Sequence, residues 1–217
     1  MRLIDSAKIN EPTDLARTLG PDGILGVLTI MYDSYIMLKE KDIVTYNMPE
    51  DRITEEWFIY ILQEWESKNL PYVPVHKKPV WENHKGKGKP PEIDFCFRDK
   101  AYSESYFAVE CKLLDEGDNT HMNYYIGEGV VGRYLSCKYA KNNSAGSMVG
   151  YVRVGEAKIV ADRLKQAIGD LSGKAKLERN DVIKGFCDIY VSKHGRKGGV
   201  SPFDIYHLLF QFNCVKN

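Results

Sequence analysis

Two neighbouring stretches, residues 91–98 (PEIDFCFR) and 106–114 (YFAVECKLL), constrain this chain more than any other part of it. In the first, Ile93, Phe95 and Phe97 alternate with Asp94, Cys96 and Arg98. In the second, Phe107, Val109, Cys111 and Leu113 alternate with Ala108, Glu110 and Lys112. A period of two is the mark of a β-strand, whose successive side chains point to opposite faces. The linker between them, Asp99–Ser105, is short and polar, so an antiparallel hairpin is the natural connection. A carboxylate and a lysine, Glu110 and Lys112, within the otherwise apolar run Phe107–Leu114 are costly to place in a sheet without a reason.

Helical signals surround this hairpin. Residues 54–67 (TEEWFIYILQEWES) carry Phe58, Ile61, Leu62 and Trp65 at the spacing of a buried stripe, with Thr54 and two glutamates at the start. Residues 76–91 are basic and rich in glycine and proline, and read as a loop. A helix is expected over 128–141, a strand over 146–154, a helix over 156–171, and strands over 186–192 and 206–212. Ile24–Leu38 fits either a helix or a strand followed by a helix, after the turn chemistry of Gly20-Pro21-Asp22-Gly23. The order of elements predicts an α/β fold, a mixed central sheet flanked by helices. A length of 217 residues suits one domain over 1–217, with residues 1–50 as an N-terminal extension.

Composition narrows the function classes. The formal net charge is zero, so any case for a polyanionic partner rests on local clusters. Five cysteines (Cys96, Cys111, Cys137, Cys187, Cys214) show no close pairing, which points to reduced thiols in a cytoplasmic protein and away from a zinc site. The chain shows neither a signal-peptide pattern nor an apolar run near the ~18–20 residues that span a bilayer, so no membrane association is expected.

The hairpin meets the needs of phosphodiester hydrolysis. That reaction requires a polarised phosphoryl oxygen, an activated water and stabilisation of developing charge. Magnesium can supply the first two, and because it takes hard oxygen ligands and keeps several waters, a site needs only about two or three carboxylates. Glu110 and Lys112, two apart on a strand, emerge on one face about 7 Å apart. Asp94 can sit beside Glu110 if the register of the hairpin allows it.

These residues carry a family resemblance. Pro91-Glu92-Ile93-Asp94, a spacer, then Glu110-Cys111-Lys112 resembles the PD-(D/E)xK nuclease superfamily of restriction enzymes, junction resolvases and phage-defence effectors. Pro91 stands three residues before Asp94, whereas the strict motif has the two adjacent. The resemblance implies a restriction-endonuclease-like core and an endonuclease that uses Mg2+ or Mn2+. Asp94, Glu110 and the Cys111 carbonyl would bind the metal, and Lys112 would orient or activate the attacking water. It also implies DNA as substrate, a prokaryotic or phage-defence setting, a protein partner that senses infection, and the option of a homo-oligomer. The alternative is a nucleic-acid-binding or assembly subunit that kept the fold and lost the cutting.

Many members add an acid from the helix before the hairpin. At about 100° per residue, Glu55 falls about 60° from the centre of the Phe58–Leu62–Trp65 stripe and Glu56 about 160° from it, so Glu55 is the expected third carboxylate. For nucleic-acid contact the candidates are Arg133 and Lys138 on the 128–141 helix, Lys85, Lys87 and Lys89 beside Lys77 and Lys78, and His194 and Arg196 within Lys193–Lys197. Gly127-Glu128-Gly129-Val130-Val131-Gly132 matches a dinucleotide-binding string but lacks the apolar strand before it and the acid about twenty residues on. Its glycines are better read as allowing close approach to the sheet or a phosphate. His207, in an apolar segment, reads as a satisfied core histidine.

Overall fold

A computed structural model describes residues 15–68, 70–81, 88–100, 106–172 and 175–215. The expected α/β architecture is present: a seven-stranded mixed sheet in the order β1-β2-β3-β4-β7-β6-β5, with helices on both faces. The strands are β1 (Tyr72–Pro79), β2 (Glu92–Asp99), β3 (Tyr106–Leu113), β4 (Ala145–Val152), β5 (Leu177–Arg179), β6 (Ile189–His194) and β7 (Phe203–Gln211). β2 and β3 form the predicted antiparallel hairpin, with Phe95 opposite Val109 and Arg98 opposite Tyr106. β4 runs parallel to both β3 and β7. It is buried along its whole length, as strands covered on both faces are.

The alternation read from β3 sorts side chains to the two faces. Phe107, Val109 and Cys111 join Phe95, Phe97, Val149, Tyr151, Leu208 and Phe210 beneath α1 (Leu15–Glu40) and α2 (Glu50–Lys68). Tyr106 and Ala108 join Cys96, Met148, Val152, Ile205 and Leu209 on the other face. That face is covered by α4 (Ala157–Ser172), by the short α3 (Asn119–Asn123), and by a π-helix, Tyr124–Leu135, that continues from α3. Glu110 and Lys112 follow Ala108 in phase and so belong to the π-helix side.

Several boundaries differ from the expectations, each for a physical reason. Residues 72–79, partly read as loop, are the edge strand β1; Pro74, Pro79 and two lysines mask its β-character, and edge strands are where such residues are tolerated. The helix expected at 128–141 starts at Asn119, with Asp118 accepting a hydrogen bond from the His121 amide as N-cap, and its π-helical part ends at Leu135. Its glycines fit the wide turn. A Cβ on Gly132 would lie 2.9 Å from the Gly127 carbonyl, five residues back, and one on Gly129 would collide with Met148 of β4. α2 begins one turn before Thr54, at Glu50, directly after Pro49. Its buried line is Ile53, Thr54, Trp57 and Ile61, rotated from the predicted stripe, with Trp57 Nε1 donating to Ser34 Oγ at 2.8 Å. Residues 15–40, left open by the sequence, form the helix α1, which turns sharply at Gly20 (φ 64°) and supplies Val27, Leu28, Ile30 and Met31 to the core. The last strands run 189–194 and 203–211, and the short edge strand β5 stands in addition to the expected elements.

Candidate functional site

The site forms where β2 and β3 part. The strands are paired from Phe95 to Arg98, and at Asp94 the backbone ladder stops. There the Asp94 carboxylate replaces a strand partner, accepting from the Cys111 amide at 2.7 Å. A carboxylate that accepts from a backbone N–H is held more firmly than one on a solvated strand. The paired register, carried one step further, sets Asp94 opposite Glu110. The three residues singled out from the motif therefore gather on one side of one fork.

Glu110 is the buried member. Its side chain is 2% exposed; Oε1 lies 3.1 Å from Lys112 Nζ and 3.4 Å from Arg133 Nε, while Oε2 is buried without a hydrogen-bond partner. Burial pushes the Glu110 carboxyl up to about 7, and the neighbouring Asp94 charge adds to the rise; Lys112 and Arg133 oppose it without cancelling it. Lys112 sits in the middle. Its ammonium donates to Glu50 Oε1 at 2.8 Å and to the Cys111 carbonyl at 2.6 Å. Burial alone would lower its pKa, but Glu110, Glu50 and Asp94 together hold it above the ordinary lysine range. Lys112 stays charged.

Arg133, expected as a nucleic-acid contact, comes from the π-helix to reach Glu110 and lies over the Tyr139 ring at 5.2 Å, which sets it beside the motif residues. Glu55 does not join. It is exposed and sits 3.6 Å from Arg52 on its own helix, because the buried line of α2 runs through Ile53, Thr54, Trp57 and Ile61 and leaves Glu55 on the opposite side. Glu56 also pairs with Arg52. The acid that α2 contributes is Glu50, whose Oε2 accepts from the Leu113 amide at 3.0 Å. Burial raises the Glu50 carboxyl even against the pull of Lys112. Beside it, Asp51 takes Lys77 at 2.6 Å, and Lys77 lies 3.7 Å from Asp94. Pro49 followed by two acids is the signature of a helix N-terminus and could have located Glu50 from sequence.

The remaining cationic candidates divide. Arg196 is not a free contact for nucleic acid. Its guanidinium is buried and donates to the carbonyls of Val200, Tyr134, Ala140 and Asn143, with Phe203 3.7 Å beneath it. A guanidinium that fills four acceptors braces the loops around it. His194 is likewise buried, 2.7 Å from Ser192 Oγ, and does not present itself to a phosphate. Lys89 and Lys138 are exposed. Lys85 and Lys87 lie outside the described residues. His207 is the satisfied core histidine expected, between Ser192 and Tyr125.

For a divalent cation, the oxygen donors present are hard ones: the Asp94 and Glu110 carboxylates and the Cys111 carbonyl. The buried, unpartnered Glu110 Oε2 is the atom that such an ion would satisfy, and in that respect the residues fit the group. Among the described residues, no group of three or more His, Cys, Asp or Glu side chains is gathered for a metal. The fit is thus to an ion held by two acids and a carbonyl and otherwise hydrated, as magnesium commonly is. Among the described residues, no helix is long and apolar enough to cross a membrane. Comparisons with protein-family models, with curated proteins and with solved structures each found no match to this chain.

Proposed function

We propose that this chain is a divalent-metal-dependent phosphodiester hydrolase of the PD-(D/E)xK type, an endonuclease acting on nucleic acid, with DNA the substrate class that the resemblance implies. The observation that carries the reading is the fork itself: Asp94 locked by the Cys111 amide, Glu110 buried with an unsatisfied oxygen, and Lys112 charged between acids. A structural salt bridge would satisfy its oxygens. This one leaves Glu110 Oε2 open inside the protein, at a cost that a bound ligand would offset.

Bound between Asp94, Glu110 and the Cys111 carbonyl, a magnesium or manganese ion would polarise the phosphoryl oxygen and acidify a water. The protein's own groups supply the rest. Asp94 is fixed before any ligand arrives, because its hydrogen bond is to backbone. Glu110, with its carboxyl near 7, is poised to lose its proton when a cation arrives. Lys112 places a permanent positive charge beside both acids, where it can steady charge gathering on phosphate oxygens. Glu50 orients that ammonium, and Arg133 holds a guanidinium against Glu110.

The test is cleavage of supercoiled plasmid, linear duplex, single-stranded DNA and RNA in Mg2+ or Mn2+ against EDTA. It uses the wild type and the Asp94→Ala, Glu110→Ala and Lys112→Ala variants. Metal-dependent cleavage lost in all three variants, with the fold intact, is the expected result. Cleavage that survives in any two of them contradicts the assignment.

A further inference from the structure

We infer that Arg153 and Asp115 form a positioning pair that sets where Glu50 stands, and through it where the Lys112 ammonium points. The pair lies just beyond the ends of β3 and β4, and both side chains are buried. Asp115 Oδ2 takes Arg153 Nε at 3.2 Å and Nη2 at 2.6 Å, while Oδ1 takes the amides of Arg153 at 2.7 Å and Val154 at 3.2 Å. That makes the guanidinium a rigid extension of the sheet.

Its remaining nitrogen works outward. Arg153 Nη1 donates to the Tyr46 carbonyl at 2.5 Å and the Met48 carbonyl at 3.2 Å, with the Tyr46 ring 5.1 Å from the guanidinium. Met48 is two residues from Glu50, and between them stands Pro49, whose ring fixes φ. Pro49 O in turn accepts from the Arg52 and Ile53 amides of α2. Two anchored carbonyls and a stiff link therefore deliver Glu50 to Leu113 and Lys112. Leu113 ends β3 and stands two residues before Asp115, so anchor and target lie on one short continuous stretch of backbone. A lysine at 153 keeps the charge but loses the fork that reaches carboxylate and carbonyls together.

The effect on cleavage rests on the function proposed above; the positioning itself does not. It is read by amide hydrogen exchange at Leu113, whose N–H is donated to Glu50, in the full-length chain. In Arg153→Lys and in Pro49→Gly, which leaves the Arg153–Asp115 pair untouched, Leu113 exchange should rise about tenfold while Ala108 and Val109 on the same strand hold within about twofold. In a Glu50→Ala background neither change should add to it. Where cleavage is detected, it should fall about tenfold in both variants and show the same non-additivity. Leu113 exchange unchanged in Pro49→Gly, a uniform rise along β3, or full additivity with Glu50→Ala would overturn the inference. Asp115→Asn, which weakens the pair itself, decides the matter if Arg153→Lys fails to fold, and Leu113 exchange unchanged in a folded variant of the pair would likewise overturn the inference.

Discussion

Two polar centres of the interior differ in character. At the fork, Asp94, Glu110, Lys112 and Glu50 are ionisable, crowded and incompletely satisfied. On the same face of the sheet, Tyr125, His207, Ser192 and His194 form a neutral chain: 3.0 Å from the Tyr125 hydroxyl to His207 Nδ1, 2.8 Å from His207 Nε2 to Ser192 Oγ, and 2.7 Å from there to His194 Nε2. Burial holds both imidazoles below the usual histidine value, His207 down to about 3. The chain passes hydrogen bonds from one neutral group to the next and ties the π-helix to β6 and β7. Histidine and serine together invite a catalytic reading, yet here they are the structural centre. What separates the two is satisfaction: a filled network stabilises the fold, whereas a buried acceptor left open among charged groups awaits something.

Substitution should split the two centres cleanly. Asp94→Asn, Glu110→Gln and Lys112→Met should each lower cleavage by about 10³-fold or more with little loss of stability, checked by turnover alongside denaturant unfolding. Ser192→Ala should do the reverse. It leaves two buried imidazoles short of a partner, destabilises by about 2 kcal/mol, and leaves cleavage per folded molecule unchanged. Equal losses of activity in both sets would erase the distinction.

The two centres also respond to pH in opposite senses. The folded-state value of Glu110, about 7, lies above its ordinary 4.5, so the fold favours the neutral acid. Its contribution to stability is complete below pH about 4.5 and is lost as pH rises through 7. His207, depressed from 6.5 to about 3, contributes fully above pH about 6.5 and loses that contribution as pH falls toward 3. In EDTA, Glu110→Gln should therefore be more stable than wild type at pH 8 by about 1–2 kcal/mol and equal to it near pH 4, read from unfolding midpoints. A smaller effect separates two acids of α2. Glu50→Gln should cost about tenfold in turnover and Glu55→Gln less than twofold, since only Glu50 touches Lys112.

How much of this was legible in the sequence depended on whether local pattern or tertiary reach decided the outcome. The β2–β3 hairpin was readable because alternation is local and strong, and it brought Asp94, Glu110 and Lys112 with it. β1 was not, because an edge strand tolerates the prolines and lysines that mark a loop. The expectation of Glu55 in place of Glu50 has two causes: the expected stripe centres on Phe58, Leu62 and Trp65 rather than on Ile53, Thr54, Trp57 and Ile61, and the expected helix begins one turn late, which leaves Glu50 outside it. Arg196 looked like one more charge in a basic run. Only the four carbonyls contributed by distant segments make it a core residue, and no spacing rule announces them.

The most direct measurement is Mn2+ binding, followed by electron paramagnetic resonance, to the wild-type chain and to Asp94→Asn and Glu110→Gln. The account predicts one site in the wild type, lost or weakened at least about tenfold in both variants, with affinity that rises as pH passes through 7. No site in the wild type, or a site that both variants retain unchanged, would contradict the claim that this fork exists to hold a cation.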